Sequence, residues 1–180
     1  MPLYAAFLRG VNLGPTRKVS GAELRAAFEQ LGFGDVATFR TSGNVVFEAE
    51  REPRAKLNLR IERGLADATG FEVPVFLRTA AEVRAIAEHE PFDLALVEAR
   101  GKLQVALLSA KPSAGTKADV LAEASEEDRL AFDERELYWL PSGGTRDAGL
   151  DLRAIERLVG DNTMRTKGTI EQLAAKHLGG

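Results

Sequence analysis

Polar and basic residues gather in two short stretches of the N-terminal half, where they could bind a ligand. The first stretch, Arg9 to Gly14 with the nearby Lys18, follows an apolar run, and the second, Arg40 to Asn44, separates two further apolar runs. Arginine can donate two parallel hydrogen bonds to a phosphate or a carboxylate, and turns rich in glycine present backbone N–H groups to the same anions. If the two stretches meet in space, they therefore predict an anion site.

The predicted ligand-binding set combines side chains of both stretches with one arginine near the C-terminus. It comprises Arg9, Asn12, Lys18, Arg40, Ser42, Asn44 and Arg165. Arg165 belongs to the hydroxyl-rich, basic segment Thr163 to Thr169, whose alternative interpretation is a helix cap with surface charge. For the other residues, the alternative is ordinary turn chemistry, with arginines that reach water. A further loop, Ser142 to Arg146, follows a strand and could hold an anion, but the favoured interpretation is a flexible connection.

Residues for other chemistries are absent or unsuitably spaced. The chain has no cysteine, which excludes disulfides, thiolate catalysis and cysteine-ligated zinc. Neither His89 nor His177 stands at a metal-ligand spacing, and no Ser/His/Asp set or carboxylate pair is identifiable. The run Gly10 to Gly14 is neither a Walker loop nor a dinucleotide fingerprint. We therefore predict no metal and no cofactor, and the sequence leaves open whether the protein is an enzyme.

Hydrophobic patterns define the elements that must position the candidate residues. Strands are predicted at residues 3–8, 36–40, 45–48 and 73–77, with helices after Ser20 and after Pro53. Pro74 cannot donate to a strand ladder, so the fourth strand is expected at a sheet edge. The order β-α-β-β-α-β is the ferredoxin-like arrangement, with strand order 4-1-3-2. It places the loop after strand one, the start of helix one and the hairpin turn at one end of the sheet.

The patterns of the second half predict a repeat of the same element order, although few residues are identical between the halves. We predict an α+β fold of two tandem ferredoxin-like units, each with an appended helix: residues 1–91, a linker at 92–102, and residues 103–180. Leu94 to Val97 is a candidate extra strand in the linker, and Thr169 is predicted to cap the last helix. Tyr138 and Trp139 alternate along one strand, which predicts one in the core and one at the surface.

Composition limits the partners and the location. The net charge of −3 disfavours broad nucleic-acid binding, which requires a basic face. The acidic run at residues 119–136 is interpreted as a solvated surface. No apolar run is long enough to cross a bilayer, and no signal-peptide pattern is present, so a cytoplasmic protein without a membrane partner is expected. The oligomeric state is not predictable.

At the level of motifs, the chain resembles the domain of unknown function 1697 family. The resemblance rests on Arg9 to Gly14, on the helix that begins near Glu23, and on Ser42 to Phe47, similar to the family's "LRG-(I/V)-N-(V/L)-G" opening and "SGNVVF" hairpin. It implies two ferredoxin-like α+β halves and no established activity. Family members often read "TTRNWNT" before the last helix, whereas this chain has Thr166 and Lys167 in place of the Asn-Trp pair.

The leading hypothesis is a cytoplasmic protein that binds a small phosphate- or carboxylate-bearing ligand at the N-terminal turns. One alternative is an enzyme that acts on such a metabolite, with the cations as electrostatic stabilisers; a carboxylate or histidine beside them would favour it. Another is a protein–protein interaction module that uses a sheet or the acidic run. Nucleic-acid binding is a further alternative, which oligonucleotide affinity that falls steeply with salt would support.

Overall fold

A computed structural model describes residues 1–142 and 149–179 of the chain. Within these residues the fold is mixed α+β, with two four-stranded antiparallel sheets and seven helices. Its contacts divide the chain into two compact units, one formed by Met1–Arg84 with Leu173–Gly180 and the other by Ala85–Gln172. Each unit contains one of the sheets.

The first half of the chain contains four strands and four helices. In chain order they are β1 (Leu3–Leu8), α1 (Gly21–Gln30), β2 (Gly34–Thr38), β3 (Asn44–Glu48), α2 (Arg54–Thr69), β4 (Val75–Thr79), α3 (Ala80–Glu88) and α4 (Leu94–Arg100). The second half continues with β5 (Gln104–Leu108), α5 (Ala114–Leu121), β6 (Arg129–Asp133), β7 (Glu136–Leu140), α6 (Leu152–Val159), β8 (Asn162–Thr166) and α7 (Lys167–His177). The boundary between the units falls within α3 and α7.

The sheet of the first unit has the order β2-β3-β1-β4, and all its neighbours are antiparallel. Its core lies between one sheet face and the helices α1 and α2. Side chains alternate between faces along a strand, so Ala6 and Leu8 of β1 join this core together with Leu57 and Ile61 of α2. Full burial of a leucine or isoleucine side chain stabilises the fold by about 1.5–3 kcal/mol.

Local signals set the ends of these elements. Ser20 caps α1 by accepting a hydrogen bond from the Glu23 N–H at 3.1 Å, and Gly70 ends α2 with a φ of 80°. The fourth strand lies at the sheet edge but begins at Val75, two residues later than the pattern predicts. Pro74 thus precedes the strand, where its carbonyl accepts a hydrogen bond from the Arg9 N–H.

The sheet of the second unit has the order β6-β7-β5-β8 and is also antiparallel. Leu94 to Val97 is helical, so the extra strand suggested there is wrong; Asp93 caps this helix by accepting a bond from the Ala95 N–H. The last helix begins at Lys167 rather than after Thr169. Thr166 is its cap, because the hydroxyl of Thr166 accepts a bond from the Thr169 N–H at 3.2 Å.

Two expectations about the second unit need correction. Tyr138 and Trp139 are both buried, because β7 is covered on both faces rather than on one. The acidic run is not wholly solvated, since Asp128 and Glu136 are buried. The Asp128 carboxylate accepts a hydrogen bond of 3.0 Å from the Trp139 indole N–H, and this bond compensates part of the cost of removing the charge from water.

In the described part of the chain, no helix combines the length and the apolar character that a membrane crossing requires.

Candidate functional site

The two polar stretches lie side by side at one end of the first unit's sheet. The Leu8 N–H donates to the Gly43 carbonyl at 2.9 Å, which joins the end of β1 to the turn before β3. The side chain of Asn12 donates to the Thr41 carbonyl at 2.9 Å, which joins the loop after β1 to the same turn. The neighbouring positions of β1 and β3 in the sheet therefore bring these two segments together.

Asn12 holds this end of the unit together. Its side-chain amide donates to the carbonyls of Val19 and Thr41, and its side-chain oxygen accepts from the Val19 N–H at 2.9 Å. The backbone of Asn12 has a φ of 57°, which asparagine tolerates better than most residues. One side chain thus fixes the loop, the approach to α1 and the hairpin turn.

Asn44 and Gly43 give the hairpin turn its shape. Asn44 is fully buried and donates to the Phe39 carbonyl at 2.7 Å and to the Ser42 hydroxyl at 3.1 Å. Gly43 has a φ of 88°, and a Cβ atom there would lie 2.8 Å from a methyl group of Val11. No larger residue fits without displacement of the packed loop. Ser42 and Asn44 therefore act as turn residues in this structure.

A cavity of about 640 Å³, which we call the α1 cavity, opens beside these turns. The N-terminal turn of α1 forms one side, and the loop after β1 and the residues after β2 form the others. Its lining residues are Asn12, Lys18, Val19, Ser20, Gly21, Glu23, Leu24, Thr38, Arg40 and Thr41. Three predicted residues, Asn12, Lys18 and Arg40, thus line one cavity, whereas Arg9, Ser42 and Asn44 do not.

Positive charge predominates in the lining of the α1 cavity. Lys18 and Arg40 are exposed, and the partial positive charge of the α1 N-terminus adds to theirs. The guanidinium of Arg40 lies 5.1 Å from the centre of the Phe39 ring, which packs its flat face against an aromatic surface. Glu23 contributes a carboxylate to the same lining. The arrangement offers two cations and one acid to a bound molecule.

Other arginines near the site have structural contacts. Arg17 donates to the carbonyls of Gly10 and Glu72, and its guanidinium lies 4.6 Å from the centre of the Phe71 ring. Arg9 is partly buried, and its backbone pairs with Pro74. These contacts fix the loop after β1 to the segment before β4.

Arg165 belongs to the second unit. It lies on β8 and is buried, so the alternative of surface charge is wrong for this residue. Its guanidinium donates to the Thr163 hydroxyl at 2.8 Å and to the Met164 carbonyl at 2.9 Å, and burial lowers the pKa of Arg165 to about 10. The candidate loop Ser142 to Arg146 falls, from residue 143 onward, outside the described residues.

Several lining residues were not predicted as site members. Thr38 and Thr41 read as strand and turn residues, and Glu23 and Ser20 as a capping pair. One signal was present: Gly21 stands at the first position of α1, where a Cβ atom would lie 2.9 Å from the Thr38 hydroxyl. This close approach of helix and strand forms part of the cavity. Among the described residues, no group of three His, Cys, Asp or Glu side chains is arranged to hold a metal ion.

Comparison with known proteins places the chain in a family. A family model described as "Protein of unknown function (DUF1697)" matches residues 1–138. The chain belongs to the DUF1697 family. Its fold is similar to the structure of conserved bacterial protein SP0830 from Streptococcus pneumoniae, with a TM-score of 0.71 at 19% identity over 97% of each chain. Among curated proteins no sequence match is found. The DUF1697 family match confirms the resemblance inferred from the N-terminal motifs.

Proposed function

We propose that this DUF1697 protein is a cytoplasmic protein that binds a small anionic ligand, bearing phosphate or carboxylate, in the α1 cavity. One observation carries the proposal: Lys18, Arg40 and the N-terminal turn of α1 line the same cavity. All three favour negative charge, and the two side chains supply charge-assisted hydrogen bonds. We assign Lys18 and Arg40 as the anion-binding side chains, and Asn12 as the residue that holds the loop between them. Arg9 does not line the cavity, and the contacts of Ser42, Asn44 and Arg165 lie within the fold.

The size of the α1 cavity and the charge of the chain favour a small ligand over a polymer. Its volume of about 640 Å³ falls within the range of about 300–1,000 Å³ that is typical of small-molecule sites. Val19 and Leu24 supply apolar surface beside the cations, which suits an organic body attached to the anionic group. The net charge of −3 opposes extended contact with a nucleic acid.

The fold proposal is that both units are ferredoxin-like. Two observations support it: each unit follows the order β-α-β-β-α-β, and the sheet orders β2-β3-β1-β4 and β6-β7-β5-β8 are equivalent. In such a unit the first loop, the first helix and the hairpin turn share one sheet end, which accounts for the position of the α1 cavity.

A second candidate function is an enzyme that acts on a small phosphorylated or carboxylated molecule. The observation in its favour is the Glu23 carboxylate, which lines the cavity together with Lys18 and Arg40. In that case the cations would stabilise developing negative charge, and Glu23 would be the available proton acceptor. Turnover of a bound ligand by the wild-type protein, and its loss in Glu23→Gln with binding retained, would favour this candidate.

The binding proposal is tested by titrating the ¹⁵N-labelled full chain with inorganic phosphate, citrate, a nucleoside monophosphate and a short oligonucleotide. We expect the small anions to shift the amide signals of Asn12, Lys18 and Thr41. Lys18→Met should weaken binding by about ten-fold or more, since a charge-assisted hydrogen bond contributes about 1.5–3 kcal/mol. The matched control is Lys56→Met, an exposed lysine of α2 that does not line the cavity.

Three results would overturn the binding proposal. The first is that no anion perturbs these amides, and the second is that Lys18→Met and Lys56→Met weaken binding equally. The third is oligonucleotide binding that is tighter than that of every small anion and falls steeply with salt, because it would assign the surface to nucleic acid. Dimerisation through this surface would instead support a protein–protein module.

A further inference from the structure

A second cavity, of about 350 Å³, lies in the second unit and shares no residue with the α1 cavity. It is bounded by the segment after α3, by α4, and by the first turns of α7. We call it the α4 cavity. Its volume lies at the lower end of the range of about 300–1,000 Å³ for ligand sites, which limits the occupant to a small molecule.

Lys167 places a buried ammonium group in the lining of the α4 cavity. Its side chain is only 9% exposed, and its Nζ donates to the Ala87 carbonyl at 2.9 Å. The Glu171 carboxylate lies 3.5 Å away, one turn along α7, but is 53% exposed. Because an ammonium group has three donors and is costly to remove from water, a buried lysine of this kind favours a further acceptor.

Part of the lining of the α4 cavity is apolar. Phe92, Leu94 and Val97 come from the segment after α3 and from α4, and the buried Leu103 closes the lining at the start of β5. Leu94 is 52% exposed, although it is a large hydrophobic residue. An occupant with an apolar body would remove this surface from water, which is favourable by about 25 cal/mol per Å².

The charged side chains around the α4 cavity are balanced in sign, which favours an occupant that carries both a positive and a negative group. Lys102 and Lys167 are cationic, and Glu90 and Glu171 are anionic. His89 also lines the cavity, and its ring packs 5.1 Å from that of Tyr138. A plain carboxylate beside Lys167 would face the nearby Glu171, whereas a molecule with both charges would satisfy each. The first turn of α7 further favours a carboxylate at Lys167.

We infer that the α4 cavity binds a small zwitterion with an apolar body, the chemistry of an apolar α-amino acid. The carboxylate accepts from Lys167, the ammonium group donates to Glu171, and the side chain packs against Phe92, Leu94 and Val97. The site is independent of the proposed anion site, since the two cavities have no residue in common.

The test compares three ligands with the same isobutyl group on the ¹⁵N-labelled full chain: L-leucine, 4-methylpentanoate, which lacks the amine, and 3-methylbutylamine, which lacks the carboxylate. We expect L-leucine to shift the amide signals of Val97, Gly168 and Glu171. Each singly charged analogue should bind at least about ten-fold more weakly than L-leucine. Equal binding of 4-methylpentanoate and L-leucine would overturn the inference, as would the absence of shifts with L-leucine at millimolar concentration.

Variants locate the binding and separate it from folding. Glu171→Gln keeps the shape of a half-exposed side chain and should weaken L-leucine binding by about ten-fold while circular dichroism shows that the protein stays folded. Leu94→Asp changes an exposed wall residue and should abolish binding while the protein stays folded. Lys167→Met should abolish binding too, and Lys176→Met on the same helix is the matched control. Unaltered L-leucine affinity in Glu171→Gln and Leu94→Asp would refute the assignment of the α4 cavity.

Discussion

Replacement of Asn12 by alanine tests how the α1 cavity is built. The change removes three side-chain hydrogen bonds, two to carbonyls of Val19 and Thr41 and one from the Val19 N–H. At about 1 kcal/mol for each net hydrogen bond, their loss lowers the free energy of unfolding by about 3 kcal/mol. Alanine at a φ of 57° adds about 1–2 kcal/mol of backbone strain. We therefore expect Asn12→Ala to lower the free energy of unfolding by about 4–5 kcal/mol, a large share of the roughly 5–15 kcal/mol that stabilises a domain.

Urea denaturation followed by circular dichroism measures this loss, provided that the slope of the transition is unchanged. Asn58→Ala is the matched control, because the Asn58 side chain bonds to Glu62 one turn away on the same helix α2 and alanine is the better helix former. Its stability should change by less than about 0.5 kcal/mol. A loss below about 1 kcal/mol for Asn12→Ala would refute the reasoning that this side chain holds the loop, the α1 approach and the turn together.

Three further predictions concern the framework and its pH dependence. Gly43→Ala should cost about 1–3 kcal/mol more than Gly32→Ala in urea denaturation, because both glycines have positive φ but only Gly43 faces packed atoms within 3 Å; equal losses would contradict this. Burial opposes ionisation of Glu82, but hydrogen bonds from the Thr79 N–H and from Arg54 lower its pKa below 4.5; stability should therefore fall as the pH drops below 4.5, and less so in Glu82→Gln. Burial, and to a lesser extent the charge of Lys176, lower the pKa of His177 below 6.5. Because the unfolded chain then takes up this proton more readily than the folded protein, stability should also decline below about pH 6.5. The urea midpoints of His177→Gln should not show this part of the decline.

Much of the fold was predictable because local signals agreed with one another. The Ser20 cap, the Gly70 helix end and the alternation along β1 each depend on a few neighbouring residues, and the structure has these elements where the patterns predict them. The errors have a common cause: burial by distant parts of the chain. Tyr138 and Trp139 are both buried because a second layer covers β7, and a two-residue alternation cannot reveal that layer.

The candidate site was predictable in part, for a similar reason. Topology alone brings the loop after β1 to the hairpin turn, so Lys18 and Arg40 could be assigned to one sheet end from the sequence. It could not be predicted that the Asn12 and Asn44 side-chain amides donate to backbone carbonyls. These bonds depend on the left-handed backbone at Asn12 itself and at Arg40 and Gly43 in the turn before Asn44. The burial of Arg165 could not be predicted from its short, polar strand, because it results from the pairing of Arg165 with the buried Val105 in the sheet.

The most direct test of the central claim is a calorimetric titration of the wild-type chain and of the Lys18→Met/Arg40→Met double variant with inorganic pyrophosphate. We predict measurable binding by the wild type and none by the double variant, whose circular dichroism and urea midpoint should match the wild type because both side chains are exposed. Equal binding by the two proteins, or no binding by the wild type, would contradict an anion site in the α1 cavity.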